Sequence, residues 1–366
     1  MSTNVANFNA GPAGLPRPAL VQAAEELVDF ESTGISIMEH SHRGKAYERV
    51  HNEAIELFRS LLGVPDSHEV LFLQGGASGM FALLPMNFLS DGGSADYVVT
   101  GTWSEKALEE ASLIGTTKVA GNGANADGKF TRIPSQAELT LDPGAKYLHI
   151  TSNNTIAGTQ YRTFPKPPSA NIPLVADMSS DILSKPIDVS KFGLIYAGAQ
   201  KNLGPSGVTV VIASKDWIVQ GSKRIPKIFR FATHAANNSL YHTPPTFGIY
   251  LMRNVLRWVR DQGGAAQMAK RNEDKAQALY AAIDGSHGFY TCPVEKDARS
   301  LMNVVFRLPS EDLEKNFAKE AEASGLIGLK GHRSVGGMRA SIYNAVGRAE
   351  VDRLTSFMAE FQKQNS

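Results

Sequence analysis

The chain is poor in cysteine, in charge of one sign and in long apolar runs. A single cysteine, Cys292, among 366 residues excludes an intrachain disulfide framework and a zinc site built on cysteines. It also points to a reducing compartment. Thirty-seven basic side chains against 36 acidic ones leave a formal charge of +1. With no basic tail or block, neither nucleic acid nor an acidic lipid surface is an expected partner. No apolar run approaches the roughly 18 residues a membrane span needs. Met1-Ser2-Thr3-Asn4-Val5 has neither the basic nor the apolar stretch of a leader, so a cytoplasmic location is expected. The sequons at Asn153 and Asn237 are then incidental. Internal repeats and low-complexity segments are lacking too.

What is there is alternation of strand-like and helix-like segments. Val50, Ala54, Leu57, Phe58 and Leu61 recur at helical spacing within 47–62. A strand over 69–73, the loop Gln74-Gly75-Gly76-Ala77-Ser78-Gly79 and a helix through 88 follow. Short apolar runs at 97–99, 147–150, 174–176, 194–196 and 208–213 read as buried strands, and a helix covers 247–260, ending near Gly263-Gly264. Beyond it come charged helices over 266–283 and 311–324, with strand-like stretches at 302–306 and 338–342. The expectation is an α/β fold: a large domain over 17–260 with a mostly parallel sheet flanked by helices, and a smaller α/β domain from 1–16 and 261–366.

Chemistry-bearing residues sit where such strands end. Lys201 lies in Gly198-Ala199-Gln200-Lys201-Asn202-Leu203-Gly204, between two expected strands, which is where α/β sheets bind ligands. Small neighbours let a flat ligand approach the backbone, and an apolar setting lowers an amine's pKa and makes it nucleophilic. Read alone, a lysine is a solvated surface charge. Asp177, at the end of Leu174-Val175-Ala176-Asp177, is alone an N-cap or loop residue. Together they match pyridoxal phosphate (PLP) chemistry, in which an amine condenses with an aldehyde and a carboxylate keeps a ring nitrogen protonated. The Gly75-to-Gly79 loop between strand and helix suits a phosphate but lacks the Gly-Lys-Ser/Thr of a nucleotide loop. Trp103 is either a core tryptophan or a platform for a ring. Gly121-Asn122-Gly123-Ala124-Asn125-Ala126 fits a dinucleotide pattern formally, but Asp127-Gly128-Lys129 follows it, so it reads as a turn rather than a nicotinamide site.

These residues and others carry a resemblance that runs almost end to end. Asn7-Phe8-Asn9-Ala10-Gly11-Pro12, Ser41-His42-Arg43-Gly44-Lys45, Leu73-Gln74-Gly75-Gly76-Ala77-Ser78, Thr102-Trp103-Ser104, Asp177-Met178-Ser179-Ser180, Gly198-Ala199-Gln200-Lys201-Asn202, Thr243-Pro244-Pro245-Thr246-Phe247 and Gly331-His332-Arg333-Ser334-Val335-Gly336-Gly337-Met338-Arg339 are similar to the phosphoserine aminotransferase family, class V aminotransferases of PLP fold type I. The resemblance implies transfer of an amino group between L-glutamate and 3-phosphohydroxypyruvate, giving O-phospho-L-serine and 2-oxoglutarate. That is a step of serine biosynthesis, and the family also reaches into pyridoxine biosynthesis. It implies that Lys201 bonds the cofactor covalently, Asp177 pairs with its ring nitrogen and Trp103 stacks on the ring. Ala77, Ser78 and Gln200 would hold the cofactor phosphate, and Thr155 the ring hydroxyl side. His242 and Thr243 would reach the phosphate in the neighbouring subunit, which implies a homodimer with shared active sites. Arg339 would clamp the substrate α-carboxylate. His42, Arg43, His332 and Arg333 would take the substrate phosphate or the distal carboxylate of glutamate. No metal is implied.

Three departures stand out. Asn154 occupies a position where the family usually has glutamate, His242 one where it usually has asparagine, and Ser78 lacks the arginine some members carry. Among relatives of different activity, a cysteine desulfurase needs a reactive cysteine, and Cys292 before Pro293 reads as structural. Alanine–glyoxylate-type enzymes have no use for the pair His332-Arg333. A catalytically dead protein of this fold has no need of Lys201, Asp177 and Arg339 together.

Overall fold

The computed structural model describes residues 5–366, so the leader reading on residues 1–4 lies outside it. Its centre is a sheet of seven strands: β1 (His68–Leu73), β2 (Ser94–Val99), β3 (Thr116–Asn122), β4 (Leu148–Thr151), β5 (Leu174–Asp177), β6 (Leu194–Gly198) and β7 (Thr209–Ser214). The spatial order is β1-β7-β6-β5-β4-β2-β3. Neighbours from β6 to β3 run parallel, whereas β7 is antiparallel to both β6 and β1. The sheet is therefore mostly parallel, as expected, with one reversed strand.

Side-chain alternation buries both faces. Phe72, Leu148, Ala176, Ala197 and Ile212 belong to one apolar cluster. Their chain neighbours Leu71, Tyr147, Val175, Tyr196 and Val211 belong to another on the opposite face. Burial on both faces is why these strands read as short continuous apolar runs. Helices α1 (Arg17–Glu25) and α2 (Lys45–Leu62) contribute to the first side; α3 (Gly76–Phe88) and α4 (Thr102–Ser112) cover the second. In α2 the buried Tyr47, Val50, Ala54, Leu57 and Phe58 form one stripe, and Gly63, at φ 63°, ends it in a left-handed cap. The edge strand β3 escaped the sequence reading because most of its side chains are solvated, leaving no apolar run.

A third cluster forms around β8 (Asn303–Phe306) and β9 (Met338–Ser341), which pair antiparallel. Helices α6 (Gly264–Asp284), α7 (Glu311–Ala323) and α8 (Arg348–Asn365) pack there, together with Ala6 and Phe8 from the start of the described chain. The long helix α5 (Thr246–Asp261), buried along most of its length, packs against α1, α2 and α6 on the first face of the sheet.

A buried amine ties the third cluster to the sheet. Lys275 of α6 donates to the carbonyls of Ile342, Tyr343 and Val346 at 2.9, 2.8 and 2.8 Å. This fixes the turn after β9. In that turn Asn344 N–H donates to Asn202 Oδ1 at 3.0 Å, and the Asn344 amide donates to the Leu183 carbonyl at 3.0 Å. The turn is thus fastened beside Lys201. Replacing Lys275 with methionine removes all three bonds, though the Tyr343 carbonyl keeps the Val346 N–H at 3.0 Å, and an expected loss of roughly 2–5 kcal/mol follows from the usual cost of stripping donors from buried groups. Denaturant unfolding of Lys275→Met checks it; an unchanged midpoint means the three bonds contribute nothing net.

Candidate active site

The parallel strands deliver their C-terminal ends to one edge, and the site assembles along that edge. β6 ends at Gly198, and the turn that follows carries Lys201. Lys201 Nζ donates to Thr155 Oγ1 at 2.5 Å and lies 5.5 Å from the centre of the Trp103 ring. A Cβ on Gly11 would stand 3.3 Å from Lys201 Cγ, so the backbone there packs directly on the lysine stem. Burial depresses the ammonium; the Asp177 charge opposes this and the Arg339 charge reinforces it, leaving Lys201 at about 8.

Asp177 is the last residue of β5 rather than the first after it, opposite Tyr196 and Thr151 in the neighbouring strands. It is buried, and its Oδ1 accepts from Ser179 N–H at 2.9 Å. Burial pushes its pKa up, against the pull of Lys201 and of the bonds from Ser179. Ser179 Oγ also accepts from Gly198 N–H at 3.0 Å, which locks the exit of β5 to the end of β6. Ser179 was not singled out from sequence; a serine two places after an aspartate at a strand end is the turn signal that marks it.

β1 feeds the Gly-rich loop. Gly75 and Gly76 have φ of 100° and 64°, a left-handed path that L side chains resist, and α3 starts there with Ala77 and Ser78 in its first turn. A Cβ on Gly198 would stand 2.8 Å from Gln200 Oε1 and 3.4 Å from Ala77 N. The Gln200 amide and the Ala77 N–H therefore share one small space at a helix N-terminus, the arrangement that binds anions. Trp103 lies in the first turn of α4, and its Nε1 is buried without a hydrogen-bond partner among the described residues.

Arg339, in β9, reaches across from the third cluster and donates from Nη1 to the Thr155 carbonyl at 3.4 Å. Its Nε is buried and unpaired among the described residues, and burial lowers its pKa. It borders a cleft of about 430 Å³ whose walls include Thr102, Lys129, Ile156, Arg307 and His332. His332 Nδ1 bonds Ser334 Oγ at 2.7 Å, and burial, then Arg339, Arg333 and Lys106, hold its imidazole below its usual range. Arg333 is exposed beside it.

The other expected members stand elsewhere in the single chain. His42 and Arg43 precede α2; His42 Nε2 is buried and unpaired among the described residues, Arg43 is exposed, and neither lines the cleft. His242 packs on His234 with ring centres 5.8 Å apart. With Gly75 they line a separate cleft of about 480 Å³, while Thr243 is exposed. Asn154, next to Thr155, donates to Thr100 Oγ1 at 2.9 Å. It fills the space where Gly101 would carry a side chain, 2.4 Å from an added Cβ. Tyr343, also not singled out from sequence, donates to the Ala10 carbonyl at 2.7 Å and faces Arg339 and Thr155.

The sequence model of the family described as Aminotransferase class-V matches residues 5–354. The phosphoserine aminotransferase of Lysinibacillus sphaericus (strain C3-41) is 54% identical over 365 residues, 100% of both chains. The solved phosphoserine aminotransferase from Bacillus circulans subsp. alkalophilus superposes with a TM-score of 0.97 at 52% identity, covering 100% of both chains. PLP-bound phosphoserine aminotransferase from Trichomonas vaginalis superposes with a TM-score of 0.92 at 36% identity, over 97% of this chain and 100% of that one.

An amine titrating at about 8 instead of 10.5 is neutral in roughly a tenth of molecules at pH 7, a several-hundred-fold enrichment. In cofactor-free protein, labelling of Lys201 by an amine-selective reagent, followed by peptide mass mapping, is expected to rise with pH around a midpoint of about 8. A midpoint near 10.5 contradicts the buried setting.

Proposed function

The chain belongs to the class V aminotransferases, and on that footing we propose that it transfers the amino group of L-glutamate to 3-phosphohydroxypyruvate, forming O-phospho-L-serine and 2-oxoglutarate, with PLP as cofactor. The reaction is a step of serine biosynthesis. The observation that carries the reading is the Lys201 amine, depressed by burial, held by Thr155 and set near the buried carboxylate of Asp177.

The residues present fit the cofactor. An aldehyde needs a neutral amine, which Lys201 supplies. A protonated ring nitrogen needs a buried carboxylate, which Asp177 supplies. The Trp103 ring lies 5.5 Å from the Lys201 amine with its Nε1 unpaired among the described residues, and the N–H-rich start of α3 with Gln200 suits the phosphate. Lys201, Asp177, Trp103, Thr155, Ala77, Ser78 and Gln200 would hold the group. When bound, it supplies an electron sink for charge released at the substrate α-carbon. Lys201, once free, is the base positioned to move the α-proton. Arg339 presents a planar fork suited to the α-carboxylate, with Nε buried and unpaired among the described residues.

The far end of the substrate meets His332 and Arg333, and we assign His42 and Arg43 to the same end from a second subunit. That neither lines the cleft within one chain supports a homodimer with shared sites, as do the exposed apolar side chains of Val28 and Met38 in the same stretch. His242 and Thr243 would reach the neighbour's cofactor phosphate in that dimer. We take 17–260 as the cofactor-binding domain and 1–16 with 261–366 as the smaller one. No described helix is long and apolar enough to cross a membrane, and we place the enzyme in the cytoplasm.

Borohydride reduction of the PLP-loaded protein with peptide mapping is expected to find the cofactor on Lys201. A half-reaction with O-phosphoserine is then expected to shift the cofactor absorbance faster than L-serine or L-alanine does; equal rates would point to a different class V activity. Arg43→Ala is expected to weaken O-phosphoserine about 30-fold or more, the cost of breaking a desolvated charge pair, while cofactor loading is kept. Equal loss of both contradicts the assignment. Mixing Lys201→Ala with Arg43→Ala chains is expected to restore up to about a quarter of wild-type activity, because one site of each mixed dimer is intact when Arg43 acts across the interface. No recovery places Arg43 in its own subunit's site.

A further inference from the structure

The loop over 331–337, which carries His332 and Arg333, joins the end of the chain's smaller apolar cluster to β9 and Arg339. It is anchored by a pair that no chemistry described so far uses. Glu314, in α7, is buried. Its Oε1 accepts from Arg307 Nε at 2.6 Å and from Leu308 N–H at 3.3 Å, and its Oε2 accepts from Gly337 N–H at 3.1 Å. Arg307 completes the circuit by donating from Nη1 to the Val335 carbonyl at 3.0 Å. One carboxylate and one guanidinium therefore grip the loop at two points, while Arg307 itself forms part of the cleft wall.

The backbone is shaped for this grip. Gly337 has φ 69°, and a Cβ on it would stand 2.6 Å from Arg307 Cδ. Gly331 N–H donates to the Gly337 carbonyl at 2.8 Å, and a Cβ on Gly331 would stand 2.1 Å from the Gly336 carbonyl oxygen. The loop closes on itself between glycines, and its outward segment, His332 to Val335, is tied within itself, Val335 and Gly336 N–H donating to the His332 carbonyl at 3.0 and 2.9 Å, so it moves as one unit whose direction its anchors set. Among the described residues, the Arg307–Glu314 pair is what links that segment's far end to a helix.

We infer that Glu314 and Arg307 are positioning residues for substrate selection: they hold the 331–337 loop so that His332 and Arg333 face the dianionic end of the substrate in the cleft. The inference rests on the phosphate-end role given to His332 and Arg333 above. A carboxylate buried in α7 and satisfied by three donors does not reach the substrate; it fixes the direction from which two cationic side chains do. The pair also neutralises Arg307 within the wall, so the charge offered to the substrate comes from the loop and not from its anchor.

Glu314→Gln, nearly isosteric, tests this. The variant is expected to raise the KM for O-phosphoserine about tenfold or more while kcat stays within about threefold, the signature of lost binding without lost chemistry. The labelling midpoint of Lys201 is expected to stay unchanged, and hydrogen exchange at the Gly337 amide is expected to quicken. Arg307→Lys, which keeps the charge but not the two-point fork, is expected to act in the same direction and carries the test should the glutamine variant not fold. An unchanged KM with quick Gly337 exchange overturns the inference, as does a fall in kcat that matches the rise in KM with a displaced Lys201 midpoint. If wild-type protein does not process O-phosphoserine, the functional reading fails separately. Gly337 exchange then judges the anchor alone: quicker in the variants supports it, unchanged refutes it.

Discussion

The structure turns on one electrostatic contest, between the cost of burying Lys201 and the attraction of Asp177. Desolvation wins by enough to bring the amine to about 8, but the carboxylate keeps it from falling further. Asp177 feels the reverse: its burial raises its pKa, and Lys201 with Ser179 pulls it back. Each group limits the other's shift. A larger share of the amine is thereby neutral near neutral pH than in an exposed lysine. Neither shift survives on a solvated surface, where both groups return to ordinary values. The sheet exists, in functional terms, to keep these two strand ends apart from water and close to each other.

Rigid spacing follows from how the strand ends are tied. Ser179 accepts from Gly198 and donates from its backbone to Asp177, so the acid and the turn that carries the lysine share an anchor. Thr155 receives Lys201 on its hydroxyl and Arg339 on its carbonyl. A threonine that touches both the amine of Lys201 and the guanidinium of Arg339 sets their separation. Tyr343 and Asn344, just past β9, hold the other side of that relation through Ala10 and Asn202.

Much of this was legible in the residues, for a physical reason. Strands buried on both faces leave short apolar runs, so their ends, and hence Asp177, Lys201 and the Gly75–Gly76 loop, are marked in the chain. What topology alone brings together is not marked. Thr155 and Arg339 meet across 184 positions, and only the family resemblance drew them to one site. Tyr343 and Ser179 went unnoticed because their roles are hydrogen bonds, which leave no periodicity. β3 was missed since its solvated side chains erase the apolar pattern. His42-Arg43 and His332-Arg333 look alike as dipeptides, yet the fold sets only His332 in the cleft wall. Adjacency in sequence says what a motif contains, not which subunit's site it serves.

The division of labour has a consequence for how such an enzyme can change. The amine's acidity is set by strand ends of the large sheet, which belong to a doubly covered, closely packed layer. The loop that we assign to the substrate's far end hangs from α7 and β9, which pack in a different apolar cluster. On the anchoring role inferred for Glu314, substitutions near it act through loop direction, and its hydrogen bonds to Arg307, Leu308 and Gly337 involve neither Lys201 nor Asp177. Arg339 is the exception. It sits in β9 yet lowers the Lys201 pKa through space and bonds Thr155. A change of substrate class by way of Arg339 disturbs the nucleophile, whereas one by way of the 331–337 loop does not, and that asymmetry follows from where each guanidinium is rooted.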